Sequence, residues 1–231
     1  MKRNRLILVA AAVGAAAVVA IVLILVAGNK KTATPTTNAT ATTAAPSRSL
    51  AGIPQQGTTL GKASAPATMI VYEDPQCPYC RSWNASTLPT VVDQYVRTGK
   101  LKVEYRGVVI IGPDSVRGLR AIYAAAQQNK GWSFADALYS HQGVENSGWI
   151  TNGVILAAAQ EAGADGQAIL AGMGSSKVSA ALVKAQKEAT ADQLRGTPTF
   201  IIVRPPAKSQ QLTVAGLDPA SFVPSLAAAL Q

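Results

Sequence analysis

Cys77 and Cys80 are the two cysteines of this 231-residue chain, and they stand three positions apart in the stretch EDPQCPYCRSW. Two thiols at that spacing can close into a disulfide and reopen, or they can help to hold a soft metal ion. Structural zinc calls for four Cys or His ligands. The chain offers these two thiols and a single histidine, His141, so no metal site is expected. A static disulfide closing so small a loop would remove little entropy from the unfolded chain. Reversible redox chemistry is the leading reading, and it needs no cofactor beyond the thiols themselves.

The elements around the pair favour that chemistry. Ala67–Glu73, ATMIVYE, reads as a strand that stops at Asp74-Pro75. A helix is expected from Cys77 onward, with Pro78 just inside its start, a kink at Pro89 and Gly99 beyond its end. A thiol at a helix start faces unsatisfied N–H groups and the positive end of the helix dipole, which favours the thiolate. Its pKa is expected in the upper half of the roughly 3.5–7.5 range of such sites. Two intervening residues place Cys80 one turn along the same face, within reach of a mixed disulfide formed at Cys77.

Farther along, Lys102 to Ile111 reads as a second strand, and about 113–194 as a helical block with apolar positions Leu119, Ile122, Tyr123 and Ala126 at helical spacing. Thr199–Val203 and Gln211–Ala215 look like a terminal hairpin. A last helix, Pro219 to Leu230, follows Asp218 as N-cap. This is an α/β order with a helical insertion.

Ahead of this domain, MKRNR precedes Leu6–Ala27, where Gly14 alone interrupts an Ala/Val/Leu/Ile run. Its 22 residues, at about 1.5 Å each, match the ~30 Å hydrocarbon core of a bilayer. The reading is an uncleaved signal anchor at 6–27, with residues 1–5 cytoplasmic because Lys2, Arg3 and Arg5 precede it. Residues 28–51 then form a disordered Thr/Ala/Pro-rich linker, and 52–231 an extracytoplasmic domain. From residue 60 onward the chain carries 15 basic and 12 acidic side chains. That mixed surface argues against nucleic acid as a partner. Asn38-Ala-Thr and Asn84-Ala-Ser match the N-glycosylation pattern, best read as chance matches. Trp83, Trp132 and Trp149 read as packing residues, and His141 lacks marked hydrolase partners.

A strand leading to Cys77-Pro78-Tyr79-Cys80, that motif at a helix start, a helical insertion, and Gly196-Thr197-Pro198-Thr199-Phe200 before the hairpin resemble, in this order, the DsbA-like branch of the thioredoxin-fold thiol–disulfide oxidoreductases, of the membrane-anchored bacterial type. The resemblance covers roughly residues 52–231. It implies an α/β thioredoxin fold with a helical insertion, preceded by one transmembrane helix.

Carried over by residue, the resemblance makes Cys77 the exposed attacking thiol and Cys80 the buried resolving thiol. Pro198 becomes the cis-proline facing them, and Thr197 offers backbone groups to an extended substrate, alongside Pro78 and Tyr79 within the motif. Two departures follow. Thioredoxins carry a buried acid six residues before the first cysteine, where this chain has Val71. Glu73, Asp74 or water is left to move the proton or tune the thiols, and Asp74 either caps the helix or ends the strand. Tyr79 also brings no positive charge between the cysteines.

The implied activity is donation of disulfides to exported proteins bearing thiols, from a single-pass protein of the cell membrane recharged by a quinone-linked membrane partner. The alternatives are a reductase or isomerase, or a tethered binding module without turnover.

Overall fold

The computed structural model describes residues 50–207 and 209–231. The anchor expected at 6–27, and the linker before residue 50, lie outside the described residues. Leu50 and Ile53 are already buried against the domain.

Among the described residues a six-stranded sheet runs in the order β1 (Gln55–Gln56), β2 (Thr59–Leu60), β4 (Leu101–Gly107), β3 (Ala67–Glu73), β5 (Thr199–Val203), β6 (Gln210–Gln211). β3 lies parallel to β4, from Ala67 opposite Leu101 to Glu73 opposite Gly107, and antiparallel to β5. It is buried along nearly its whole length, which is why it reads as an apolar run without alternation. Met69 and Val71 face one core layer, Ile70 and Tyr72 the other.

The helix after β3 comes in pieces. α1 (Pro78–Ser86) stops at Thr87, α2 covers Leu88–Val91, and a π turn covers Val92–Val96. Pro89 has no N–H to give Ala85 and its ring crowds that carbonyl, which weakens the helix at this point. The break is held by Thr87, whose hydroxyl donates to the Leu217 carbonyl. α1 brings Trp83 against Phe200 of β5 and Phe222 of α8 (Pro219–Ala229), at ring separations of 5.1 and 5.9 Å. Asp218 caps α8 as expected, accepting from Ser221 N–H at 3.0 Å.

The second strand ends at Gly107, not at Ile111. Val109 to Ile111 are β-branched, yet the N–H groups of Ile110 and Ile111 donate to the Asp74 carboxylate rather than to a strand. The hairpin is shorter than expected, with β6 confined to Gln210–Gln211, and the β1–β2 hairpin at the opposite edge carried too short a pattern to be foreseen.

The helical block resolves into α3 (Pro113–Ala126), α4 (Gly131–Ser140), α5 (Asn152–Ala162), α6 (Gly166–Gly172) and α7 (Ser176–Ala191). Gly118 lets α3 pass under the loop before the cysteines, because a Cβ there would come within 2.8 Å of Pro75 and 2.9 Å of Ile150. Arg106 of β4 reaches Glu188 of α7 at 3.4 Å, and Asp192 accepts from the Tyr72 hydroxyl at 2.7 Å. These bonds fix the end of the insertion against the sheet just before the chain turns to Thr197.

Candidate active site

Cys77 is the N-cap of α1 and Pro78 its first residue. Both cysteines are free thiols. The loop that presents them is pinned from three directions. Gln142, just beyond α4, donates from Nε2 to the carbonyls of Pro75 and Cys77 at 2.9 and 3.2 Å. Gln76 is buried and donates to Ser115 at 2.9 Å and to Asn146 Oδ1 at 3.1 Å, while its own Oε1 accepts from Asn146 N–H at 2.6 Å. Tyr139 donates to the Asp74 carbonyl at 3.1 Å.

Of the two alternatives for Asp74 the structure takes the second: β3 ends at Glu73, directly before it, and the cap of α1 is Cys77. Its Oδ1 accepts from Gln76 N–H at 2.8 Å and Ser115 Oγ at 2.7 Å, and its Oδ2 from the N–H groups of Ile110 and Ile111 at 2.8 and 2.9 Å. Both oxygens are engaged, so the side chain ties the cysteine loop to the β4–α3 loop and is poorly placed to carry protons to Cys80.

The attacking thiol expected to be exposed is largely covered. Cys77 keeps 5 % of its accessible surface and Cys80 none. The Thr197 backbone closes over the sulfur, and Cys77 Sγ donates to the Thr197 carbonyl at 3.3 Å. The Thr197-Pro198 bond is cis, as expected. Thr197 therefore meets Cys77 from 120 positions farther along the chain, with the cis bond to Pro198 next to it. Tyr79, the other residue between the cysteines, is 67 % exposed, and Ile110 and Val144 on the neighbouring loops are exposed as well.

The two sulfurs differ in acidity. Cys77 is lowered to about 6, chiefly because the Cys80 thiol donates to its thiolate, with the Thr197 hydroxyl and the N–H groups of Cys80 and Tyr79 adding to this against the cost of partial burial. Cys80 is raised well above the ordinary thiol value, first by burial, then by serving as donor to Cys77 and by the negative charge of Glu73. The arrangement can therefore hold one sulfur as a nucleophile while the other stays protonated.

Glu73 ends β3 fully buried. Burial pushes its carboxyl up to about 8, against the pull of hydrogen bonds from Asn84 and Tyr139. Asn84 donates from Nδ2 to Glu73 Oε1 at 2.8 Å and to the Cys80 carbonyl at 2.9 Å. Its amide is committed inside the protein, so the Asn84-Ala-Ser pattern is no glycan acceptor in this fold.

The sequence reading gave no role to Gln76, Gln142 or Asn146, and treated Asn84 only as part of a chance glycosylation pattern. Only Asn84, four residues past Cys80 and so on its helix face, carried a local signal. His141 pairs with Glu161 at 2.7 Å, away from any nucleophile–acid arrangement. Trp83 and Trp132 are buried core residues, Trp132 donating to the Val103 carbonyl at 3.2 Å.

The chain is similar to known proteins in sequence and in fold. A probable disulfide bond formation protein D of Bacillus cereus is 34 % identical over 104 residues, 44 % of this chain and 48 % of the relative. The chain thus spans about half the length of the curated relatives it matches. Among solved structures it is similar to BdbD from Bacillus subtilis in the oxidised form, with a TM-score of 0.64 at 18 % identity over 77 % of this chain and 97 % of that one. DsbA from Chlamydia trachomatis gives a TM-score of 0.61 at 16 % identity, over 74 % and 88 % of the two chains. These likenesses bear on the fold, a thioredoxin-like sheet with a helical insertion. The sequence model of the thioredoxin family matches residues 54–207, two-thirds of the chain and all of the elements that carry the site, and the chain belongs to that family.

Proposed function

We propose that the chain is a thiol–disulfide oxidoreductase that gives disulfides to exported proteins through Cys77 and Cys80. A client thiolate attacks Cys77 Sγ of the oxidised pair. The Cys77–Cys80 bond breaks and Cys80 leaves with the electron pair. A second client thiol, once deprotonated, attacks the client sulfur of the mixed disulfide and expels Cys77 as thiolate. The client loses two electrons and the pair gains them.

The observation that carries the reading is the asymmetry of the pair: Cys77 is lowered to about 6 while Cys80 is raised and fully covered. A stabilised thiolate makes Cys77 the better leaving group and favours the reduced state of the enzyme, which is the condition for oxidising others. The Bacillus relatives named as disulfide bond formation proteins support the same direction. Thr197, Pro198, Pro78 and Tyr79 form the docking surface for an extended client segment, with exposed Ile110 and Val144 widening its apolar rim.

In the same proposal residues 6–27 anchor the protein in the cell membrane with residues 52–231 outside the cytoplasm, and a quinone-linked membrane partner reoxidises the pair. Disulfides persist in that compartment and would be reduced in the cytoplasm.

The test is trapping in cells. Cys80→Ser leaves the mixed disulfide at Cys77 without its resolving thiol and should accumulate client adducts. Cys77→Ser should accumulate none. Equal trapping by both variants would contradict the assignment, and no trapping by either would favour a binding module.

A further inference from the structure

We propose that Gln142 is a positioning residue for Cys77: its side-chain amide grips the carbonyls of the cysteine loop and so keeps the first turn of α1 aimed at the sulfur. The proposal rests on the exchange reading above.

A peptide plane is ordinarily fixed from two sides, through its C=O and its N–H. Pro78 takes the N–H away from the plane that follows Cys77, which leaves the Cys77 carbonyl as its one polar handle. That oxygen accepts from Arg81 N–H at 3.1 Å, the first bond of α1, and from Gln142 Nε2 at 3.2 Å. The same amide nitrogen donates to the Pro75 carbonyl at 2.9 Å. Tyr139, one turn earlier in α4, donates to the Asp74 carbonyl at 3.1 Å. The carbonyls of Asp74, Pro75 and Cys77 thus all accept from side chains at the end of α4.

The consequence falls on the sulfur. A thiolate is stabilised by N–H groups aimed at it. Those of Tyr79 and Cys80 act on Cys77 in this way, and they do so only while the first turn of α1 keeps its orientation. Cys77 caps that turn with extended backbone and makes no side-chain capping bond. Little water reaches the sulfur to replace a lost donor, since Cys77 is buried. Gln142 supplies from outside the helix the support that the cap itself lacks. Without it the Cys77 carbonyl depends on Arg81 N–H alone, and helix ends held by single bonds fray.

Gln142 is itself held. Its N–H donates to the Tyr139 carbonyl at 3.1 Å, and the neighbouring His141 is bound to Glu161 of α5 at 2.7 Å. The helical insertion therefore reaches the thiol pair through one side chain, 65 residues along the chain from Cys77. Cys80 and Glu73 are the titratable groups that bear on Cys77, and substitution of Gln142 leaves both in place.

The test uses the reduced full chain in detergent. Alkylation of Cys77 is followed from pH 4 to 9, and the pair is equilibrated with glutathione at pH 7. Gln142→Met keeps an unbranched side chain of similar length but has no N–H to give. Its alkylation midpoint should rise by about half to one pH unit, the scale of one lost hydrogen bond. Its equilibrium with glutathione should move toward the oxidised pair by about 3- to 5-fold, as the loss of thiolate stabilisation requires. Gln142→Lys returns a donor and should keep the wild-type midpoint or lower it, a rescue that a merely space-filling residue would not show. A further reading needs no variant: the side-chain amide protons of Gln142 in the reduced wild type should exchange more slowly than those of a free amide. An unchanged midpoint in Gln142→Met, equal rises in Gln142→Met and Gln142→Lys, or free-amide exchange in the wild type would each overturn the proposal while the exchange reading stands. A wild-type pair inert to glutathione would overturn both.

Discussion

One helical turn separates Cys77, whose thiolate is held down to about pH 6, from Cys80, which burial keeps protonated. Alkylation of the reduced chain should therefore proceed at Cys77 with a half-maximal rate constant near pH 6 and leave Cys80 untouched there, as mass spectrometry of the labelled peptide would report. A midpoint near the ordinary thiol value of about 8.5 would show that the α1 start does not stabilise the thiolate. Glu73 has the opposite sign of shift, its folded value lying above the ordinary carboxylate range. Its protonated form is the one the fold favours, so its contribution is fully present below the ordinary carboxylate pKa and is lost as pH rises through about 8. The charge is worth up to about 5 kcal/mol across that window as an upper bound. Glu73→Gln, which never ionises, should flatten this slope and melt higher than the wild type at pH 8.5 relative to pH 5. Parallel melting curves at the two pH values would count against a buried, raised carboxyl.

At the scale of elements the cysteine loop is held by polar ties that reach far along the chain. Asp74 accepts four hydrogen bonds, one from Gln76 within the loop and three from Ile110, Ile111 and Ser115 beyond β4. Asp74→Ala leaves the N–H groups of Gln76, Ile110 and Ile111 without that acceptor and should cost at least about 3 kcal/mol, measured by denaturant unfolding of the reduced chain. A loss within about 0.5 kcal/mol would mean the ties are incidental. These ties mark the limit of what the sequence made legible. Strand, turn, Cys77 at a helix start and Thr197-Pro198 before β5 are local signals, and each could be read from a few residues. The cover over Cys77 and the pins from Gln142 and Asn146 arise from contacts 65 to 120 residues apart, which leave no periodic or motif trace. The ties of Asp74 went unseen for the same reason: its partners Ile110, Ile111 and Ser115 are distant in sequence. The run after Gly107 reads as strand by its β-branched residues, and only the tertiary bond to Asp74 explains why it is a loop.

For the whole molecule the proposals join at direction and place. Residues 32–46 are Thr, Ala and Pro in all but one position. In cells with a permeabilised outer layer, protease added from outside should cut this tether and release the domain. Protection until the cells are lysed would argue for the reverse topology. Direction follows from the same asymmetry that governs the residues. Holding Cys77 as thiolate stabilises the reduced pair, and potential follows that stabilisation at about 30 mV per 1.4 kcal/mol. Tyr79 adds no positive charge between the thiols, so the effect should stop short of the strongest oxidants. Equilibration of the full chain against glutathione buffers measures this most directly. The account predicts a Cys77–Cys80 potential above the roughly −270 mV of thioredoxin and below the roughly −120 mV of DsbA. A value at or below thioredoxin's would contradict it and make the protein a reductase.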